Sequence, residues 1–260
     1  MVNVRILSPE QQKKAIDELN EDPARIEKDL EDFREWIKKS PHIKGRTDDQ
    51  FLIAFLRGCK FSLEKAKLKY DLHYTLKTHL PEACKNRDPL DEKNQKAIKC
   101  GWVKETFQNS QKFDLKMYRI TLLLPKSKTP GAPRYLIGRP GAFNPDEFTS
   151  DDLLKSMTIF FDTLMFDDDF IISGMTMIGD ASNTTLKHLM VFNNPVVMKK
   201  NALIQQDAYP VRQKGMHIFN MPSIMVSLLN LFKMFLNEKN KSRVIIIKIT
   251  LEWVIIINSL

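Results

Sequence analysis

Cysteine and glycine are scarce in this sequence, and both shortages exclude classes of protein. The three cysteines, Cys59, Cys84 and Cys100, are scattered over 260 residues. They form neither a disulfide framework nor a zinc pattern, so we expect a reduced, cytoplasmic setting. The nine glycines never form G-x-G-x-x-G or a phosphate-binding P-loop. Their spacing therefore does not indicate a dinucleotide site or a P-loop nucleotide site.

The sequence also lacks the residue groups that carry catalysis. Its five histidines show no H-E-x-x-H or similar ligand spacing, and no G-x-S-x-G elbow is present. Asp180 follows a predicted strand, but one carboxylate without a base, a metal or a nucleophile beside it is not a mechanism. We interpret Asp180 as a capping or turn residue. We predict no catalytic residue, no metal and no cofactor, and hence a protein that is not an enzyme.

Positive charge is in excess, whereas an N-terminal apolar segment is missing. Lys and Arg number 40 against 32 Asp and Glu, which gives a formal charge of +8. This excess favours an acidic partner, and both nucleic acid and an anionic membrane qualify. Residues 1–20 contain no apolar stretch typical of a signal peptide.

The first third has the pattern of a small helical bundle. Between residues 22 and 39, apolar residues recur at spacings of three and four, which predicts an amphipathic helix: Ile26, Leu30, Phe33, Trp36 and Ile37. Capping residues predict three more helices, which begin after Ser8, Thr47 and Ser62. We read residues 81–94 as a charged loop and place an N-terminal helical domain at 1–95.

Residues 96–260 form the second predicted domain, in which strand and helix patterns alternate. Strands are predicted at 118–124, 135–139, 171–178, 215–220 and 243–249, and helices at 151–166, 195–206 and 222–236. The links between strands are long enough for crossovers. We therefore expect an α/β fold with a mostly parallel sheet.

The segment 208–243 is the most unusual part of the chain. Its predicted helix is apolar around most of its girth, so it must be covered on more than one side. It is too short to span a bilayer, which takes about 20 apolar residues. Basic residues bracket it: Arg212, Lys214, Lys239, Lys241 and Arg243. One interpretation is a movable gate over an apolar cavity, beside a site for an acidic membrane. The alternative is an ordinary buried helix with solvated charges at its ends.

The position of the basic residues bears on the choice of acidic partner. Binding of single-stranded nucleic acid calls for basic residues interleaved with exposed aromatic side chains. Here the basic residues bracket an apolar helix instead. We therefore predict an anionic membrane or a phosphoinositide head group as a partner, and no nucleic acid.

Three motifs, in order, resemble those of one known family. DDQFLIAFLRGCKFSLEKA, at 48–66, is similar to D-x-F-L-x-R-F-L-R-A-R-K-F-x-x-x-x-A. AYPVRQKGMHIFNMP, at 208–222, is similar to Y-P-x-R-x-x-x-x-H-x-x-N-x-P, and FKMFLNEKNKSRV, at 232–244, to K-P-F-L-x-x-K-x-x-x-R-I. The chain thus resembles the CRAL-TRIO lipid-binding family, in its branch of α-tocopherol transfer and retinaldehyde-binding proteins.

The resemblance implies an α/β domain that encloses one hydrophobic ligand under a mobile helical gate at 222–236. In this branch a basic cleft beside the gate binds phosphoinositide head groups. Residue by residue, that cleft falls on Arg212, Lys214, Lys239 and Arg243. We predict the ligand pocket and gate residues from the elements that should wall the pocket: Phe160, Phe161, Leu164, Met175, Met177, Ile178, Leu189, Ile224, Met225, Leu228, Leu229 and Phe232.

The chain departs from the family pattern at positions that bear on function. Cys59 stands where family members often carry a further cleft arginine, which predicts weaker head-group binding. Met234 replaces the proline of K-P-F-L, so a gate kink set by proline is not expected. After about residue 244 the family pattern stops. From this atypical C-terminus we expect a truncated or alternatively spliced product.

The residues and the resemblance together predict a non-enzymatic carrier. It would bind one small hydrophobic ligand (tocopherol, a retinoid or another lipid) in an apolar pocket and exchange it at phosphoinositide-containing membranes. The alternative is a phosphoinositide-binding adaptor with an empty or vestigial pocket. We expect a monomer in the cytoplasm that associates transiently and peripherally with membranes.

Overall fold

A computed structural model describes residues 2–88, 90–99, 121–192 and 194–247 of the chain. The first hundred residues are helical, and strands alternate with helices from residue 121 onward. The start of the strand predicted at 118–124, the end of the one predicted at 243–249 and most of the atypical C-terminus lie outside the described residues. The domain boundary predicted near residue 95 stays a prediction.

Ser62, the predicted cap of the fourth helix, makes no capping hydrogen bond through its side chain, whereas side chains do cap the first and third helices. Six helices lie within the described N-terminal residues. They are α1 (Pro9–Leu19), α2 (Ile26–Lys38), α3 (Asp49–Gly58), α4 (Leu63–His79), α5 (Pro81–Cys84) and α6 (Glu92–Lys99). Ser8 and Gln11 form a capping box on α1. Asp48, not Thr47, caps α3, because its carboxylate accepts the Phe51 amide at 3.1 Å. The loop predicted at 81–94 is wrong, since α5 and the first turn of α6 lie within it.

A five-stranded sheet forms the second part, and it is mostly parallel, as predicted. Its strands, in spatial order, are β1 (Thr121–Leu123), β2 (Arg134–Gly138), β3 (Met175–Asp180), β4 (Gln213–Phe219) and β5 (Val244–Ile247). β1 and β2 are antiparallel, and the other neighbours are parallel. The α/β fold predicted from the sequence is therefore confirmed.

The helices of the second part connect these strands and cover the sheet. They are α7 (Ser150–Leu164), α8 (Asp168–Ser173), α9 (Leu186–Phe192), α10 (Pro195–Leu203), one π-helical turn (Ile204–Ala208), α11 (Ser223–Lys233) and α12 (Glu238–Lys241). The strand predicted at 171–178 is wrong in its first half. Asp167 caps α8 there, accepting the amides of Asp169 and Phe170, and Gly174 ends the helix at a φ of 80°.

One apolar core joins the helical part to the α/β part. Phe33, Phe55 and Tyr70 of the first part and Phe161 and Phe170 of the second belong to the same buried cluster. At the seam, the Tyr209 ring lies 4.8 Å from the His73 ring and 5.5 Å from the Phe161 ring. The two parts therefore have no separate hydrophobic cores where they meet.

Buried polar contacts also cross this seam. The Arg57 guanidinium lies 3.7 Å from Asp168 of the second part. It also donates to both carboxylate oxygens of Glu21, its partner within the helical part, at 2.8 and 3.3 Å, and the Arg57 and Glu21 side chains are almost fully buried. Asp162 accepts from Arg87 at 2.6 Å and from the Tyr209 hydroxyl at 2.7 Å. These contacts fix the helical part against α7 and the segment that leads into β4.

Candidate functional site

A cleft of about 900 Å³ brings the four predicted head-group residues together. Arg212 directly precedes β4, and Lys214 is the second residue of that strand. Lys239 comes from α12, and Arg243 directly precedes β5. The opposite wall comes from α1 and from the turn between α3 and α4. Because β4 and β5 are parallel neighbours, their adjacent starts place these cations at one edge of the sheet.

Backbone carbonyls hold two of the guanidinium groups in place. Arg212 donates to the Ile172 carbonyl and, at 3.1 Å, to the Glu18 carboxylate. Arg243 donates to the Gln213 carbonyl. A guanidinium that donates one hydrogen bond to a carbonyl still has further N–H groups for a second partner. Both groups are thus oriented before any ligand arrives.

Glu18 is the acidic residue that faces these cations most closely. Its carboxylate lies 3.1 Å from Arg212, 3.2 Å from Lys214 and 3.6 Å from Lys14. Burial alone would raise the pKa of Glu18, but the hydrogen bonds from Arg212 and Lys214 outweigh it and lower the pKa to about 2. Glu18 is therefore a carboxylate at every physiological pH.

Lys239 experiences the concentrated positive field of the cleft. Its pKa is lowered by partial burial first, and then by repulsion from Arg243, Lys60, Arg212 and Lys214. Like charges that lower one another's pKa in this way favour an added anion, because an anion relieves the repulsion. The cleft thus concentrates positive charge around Lys239.

Sequence reasoning missed three lysines of the same cleft, Lys60, Lys65 and Lys69. Lys60 has left-handed backbone, with a φ of 55°, in the turn after α3. Lys69 is held away from the open space, since it donates to the carbonyls of Gln206 at 2.5 Å and Tyr209 at 3.1 Å. The available signal was the position of Lys60, next to Cys59 in the first motif.

Cys59 lines the cleft where the family pattern has arginine. It is 8% exposed, and burial raises the pKa of its thiol despite nearby Lys69 and Lys65. The thiol is therefore neutral and adds no charge. Lys60, the next residue, places a cation on the same wall.

A second cavity, of about 320 Å³, lies beneath α11 and is lined mainly by Met, Leu and Val side chains. Six of the predicted pocket and gate residues line it: Met177, Leu189, Met225, Leu228, Leu229 and Phe232. Ile224 lies in the first turn of α11, and its side chain is outside the described set. The predicted gate helix thus covers an apolar space.

Five other predicted pocket residues lie in the buried core instead: Phe160, Phe161, Leu164, Met175 and Ile178. The first three continue the apolar stripe of α7 whose earlier residues, Leu153, Leu154 and Met157, do line the cavity. They differ in their level along the helix axis and not in the face that they occupy. Ile178 follows Met177 directly and so projects from the other face of β3.

The rim of this cavity is polar at the carboxyl ends of three adjacent strands. Asp180 Oδ1 accepts from Asn220 at 2.9 Å and from the Ser182 hydroxyl and amide at 2.7 and 3.1 Å. Its Oδ2 lies 3.8 Å from Arg139 Nε. Burial would raise the pKa of Asp180, but these partners lower it. Asp180 thus organises a turn, which is the role that the sequence indicates.

The basic cleft and the apolar cavity share a wall. Gln205 of the π-helical turn, Met216 of β4 and Phe232 of α11 line both spaces. A head group in one space and an apolar molecule in the other would therefore lie on opposite sides of the same three side chains. This adjacency is the main geometric feature of the site.

No helix within the described ranges is long and apolar enough to cross a membrane.

Two family models match the chain: that of the CRAL/TRIO domain at residues 126–256, half of its length, and that of the Pinta-like UBA domain at residues 22–94. The α/β fold with its two adjacent cavities and the first of these matches define one class. The chain belongs to the CRAL/TRIO domain family.

Curated relatives fall in the same family. The human "Alpha-tocopherol transfer protein-like" is 25% identical over 231 residues, which are 88% of this chain and 61% of that protein. Human Clavesin-2 is 25% identical over 92% of this chain and 67% of its own length. Clavesin-1 of Pongo abelii is 29% identical over 92% of this chain and 62% of its own length. The chain thus spans about three fifths of the tocopherol-transfer-like relatives.

A solved structure, that of Sfh5, also resembles the chain. It has 10% sequence identity and a TM-score of 0.41, with 93% of this chain and 81% of that chain covered.

Proposed function

We propose that this chain is a non-enzymatic carrier of one small hydrophobic ligand, which it exchanges at phosphoinositide-containing membranes. The observation that carries the proposal is the shared wall of the basic cleft and the apolar cavity, in which Phe232 of α11 takes part. The side chain of a gate helix thus stands between a site for an anion and a site for an apolar molecule.

The apolar cavity supports the first half of the proposal. Burial of apolar ligand surface contributes about 25 cal/mol per Å² and needs no exact pairing of polar groups. Methionine side chains adapt to irregular apolar shapes, and six of them line this space: Met157, Met177, Met198, Met216, Met221 and Met225. Tocopherol, which the name of one group of relatives mentions, is one ligand of this kind, and a retinoid or another lipid is equally compatible with the cavity.

The basic cleft supports the second half. Arg212, Lys214, Lys239 and Arg243 share one space with Lys60 and Lys65. Lys and Arg beside an anionic membrane contribute about 1 kcal/mol each, so four give at most about 4 kcal/mol. That is enough for reversible docking and too little for permanent anchoring, which suits a protein that must leave the membrane with its cargo.

The first experiment addresses the cargo. The full chain, Met1 to Leu260, is exposed to a cell lipid extract and examined by native mass spectrometry. We expect a stoichiometric added mass of a few hundred daltons, on the order of one small lipid for a cavity of this class. A folded protein that never carries added mass contradicts the carrier function.

The second experiment addresses the membrane. The double variant Lys239→Glu with Arg243→Glu should lose most of the binding to vesicles that contain a phosphatidylinositol bisphosphate, measured as the fraction of protein that sediments with them. The matched control is Lys28→Glu with Lys38→Glu, which makes the same charge change at two exposed residues of α2. Equal loss in both variants would indicate general electrostatic attraction rather than this cleft.

A second candidate function is a phosphoinositide-binding adaptor with an empty pocket. The relative size of the spaces favours it, since the apolar cavity of about 320 Å³ is much smaller than the cleft of about 900 Å³. The two experiments together distinguish the candidates. Vesicle binding through the cleft without any added mass supports the adaptor.

A further inference from the structure

The basic cleft already contains a carboxylate that occupies two of its cations. Glu18 of α1 lies 3.1 Å from Arg212 and 3.2 Å from Lys214, although 194 and 196 residues separate the partners. The Glu18 side chain is 41% exposed at the mouth of this space. An anion that approached Arg212 and Lys214 would thus meet a carboxylate in place.

The cations of the cleft divide into two groups. Arg212 and Lys214 are paired with Glu18, and Arg243 is held by the Gln213 carbonyl. Lys60, Lys65 and Lys239 line the same cleft, and within the described part of the chain none of the three has a carboxylate in salt-bridge range. One group is occupied and the other is open, and Lys239 senses the charges of both Lys60 and Arg212.

We propose that Glu18 is an intramolecular competitor that a phosphorylated ligand must displace from Arg212 and Lys214. Glu18 thereby determines which anions gain from the whole cleft. This inference rests on the proposed function, since it concerns the ligand of the same cleft. The chemistry that it selects is a polyol or inositol group with at least two phosphomonoester groups.

The two groups of cations explain the dependence on phosphate number. A ligand with one phosphomonoester can bind at the open lysines and leave Glu18 in place. A second phosphomonoester that reaches Arg212 and Lys214 has to replace the carboxylate there, and like charges so close to each other are disfavoured. Glu18 therefore opposes the second contact more strongly than the first.

A purely structural role for Glu18 makes a different prediction. If the residue only fixed α1 against β4, then its neutralisation would loosen the cleft and weaken the binding of every anion. Displacement predicts the opposite sign, because Glu18→Gln removes the competing charge while the amide can still accept from Arg212. The direction of the affinity change therefore separates the two roles.

The test uses the full chain and two water-soluble, deacylated phosphoinositide head groups, one with a single phosphomonoester and one with two. Calorimetric titration of wild type and Glu18→Gln gives each dissociation constant. We expect the variant to bind the two-phosphate head group about threefold to tenfold more tightly, as the loss of two partly exposed ion pairs suggests. The one-phosphate head group should gain less. Glu31→Gln, the same charge change at an exposed residue of α2, should change neither.

A parallel arm with vesicles that contain the corresponding lipids identifies the source of the ligand. If the variant binds the soluble head group and also the vesicles more tightly than wild type does, then the natural ligand is assigned as a membrane lipid. If it binds only the soluble head group more tightly, then the natural ligand is assigned as a free inositol phosphate. If wild type binds the head groups and Glu18→Gln binds them equally well or more weakly, then the inference is overturned and the proposed function remains intact. If no head group or vesicle binds either protein, the inference and the membrane half of the proposed function both fail.

Discussion

Gly58 at the end of α3 lies against Pro210, the proline of the second motif. A Cβ atom added at Gly58 would lie 2.5 Å from both the Cβ and the carbonyl oxygen of Pro210. Two segments that resemble the family thus touch directly, at residues that are 152 positions apart in the sequence. The contact holds the turn that carries Cys59 and Lys60 against the segment that carries Arg212.

Substitution of Gly58 by alanine should therefore destabilise the protein. The backbone of Pro210 cannot move away as a flexible side chain could, so we expect a loss of about 1–3 kcal/mol in the free energy of unfolding. Urea denaturation measures it. Gly179→Ala is the matched control, because the nearest atom to its added Cβ would be 3.4 Å away, at ordinary contact distance. Equal stability of the two variants would contradict the tight contact.

Removal of one partner of the buried pair of Glu21 and Arg57 should strongly destabilise the protein, whereas replacement of both partners should destabilise it much less. Glu21→Leu leaves the guanidinium of Arg57 buried with Asp168, 3.7 Å away, as its only ionic partner among the residues that the structure describes. We expect a loss of about 3–5 kcal/mol. The double variant with Arg57→Met should recover most of this loss in the same urea experiment. A double variant as unstable as the single one would show that packing, and not the unpaired charge, dominates.

The pH dependence of stability should contain a contribution from His73. Burial, followed by repulsion from Lys77, lowers the pKa of His73 to about 3. Between that value and about 6.5, the unfolded chain binds a proton that the native state does not. Stability therefore falls as the pH is lowered through this window, by at most about 1.4 kcal/mol per pH unit from this group.

His73→Phe tests this contribution, because the ring packs among aromatic neighbours and its Nε2 has no hydrogen-bond partner within the described structure. The variant should show a shallower decline of the urea midpoint between pH 6.5 and pH 4 than wild type does. His79→Gln, at the exposed end of α4, should retain the wild-type slope. Identical slopes for wild type and His73→Phe would refute the assignment.

Filling the apolar cavity should remove the cargo without loss of the fold. Met225 lines the cavity from α11, so Met225→Trp reduces the space available to a ligand. We expect the added mass in the native spectrum to disappear while vesicle binding persists. Met234→Trp places the same ring just past the end of α11, at a residue that is 73% exposed, and should keep its cargo. Cargo retained by both variants would place the ligand elsewhere.

Local features of the fold could be predicted from the sequence because their causes are local. The stripe of Leu30, Phe33 and Ile37 is buried, as the spacing predicts, and Ser8 caps α1. Asp167 was harder to interpret, because the short helix that it caps sits in a run of β-branched residues that also suits a strand. There the cap and Gly174 outweigh the strand propensity of Ile171 and Ile172.

Contacts between distant segments could not be predicted in the same way. Periodicity identifies the apolar face of α7, but it does not say at which level along the axis the cavity lies, so Leu154 lines it and Phe161 does not. The pairing of Glu18 with Arg212 depends on how α1 packs against the sheet edge. The charge pattern around 208–243 located the cations, and only the fold shows which acid accompanies them.

The place of Phe232 between the cleft and the cavity has a consequence for the proposed exchange of cargo at membranes. If a head group displaces this ring and so weakens cargo binding by some factor, the cargo must weaken head-group binding by the same factor. A membrane rich in that lipid would then unload the protein, and one poor in it would let the protein refill. The lipid composition of the two membranes would then set how fast the protein loads and unloads, while the direction of net transport would still follow the cargo's own gradient.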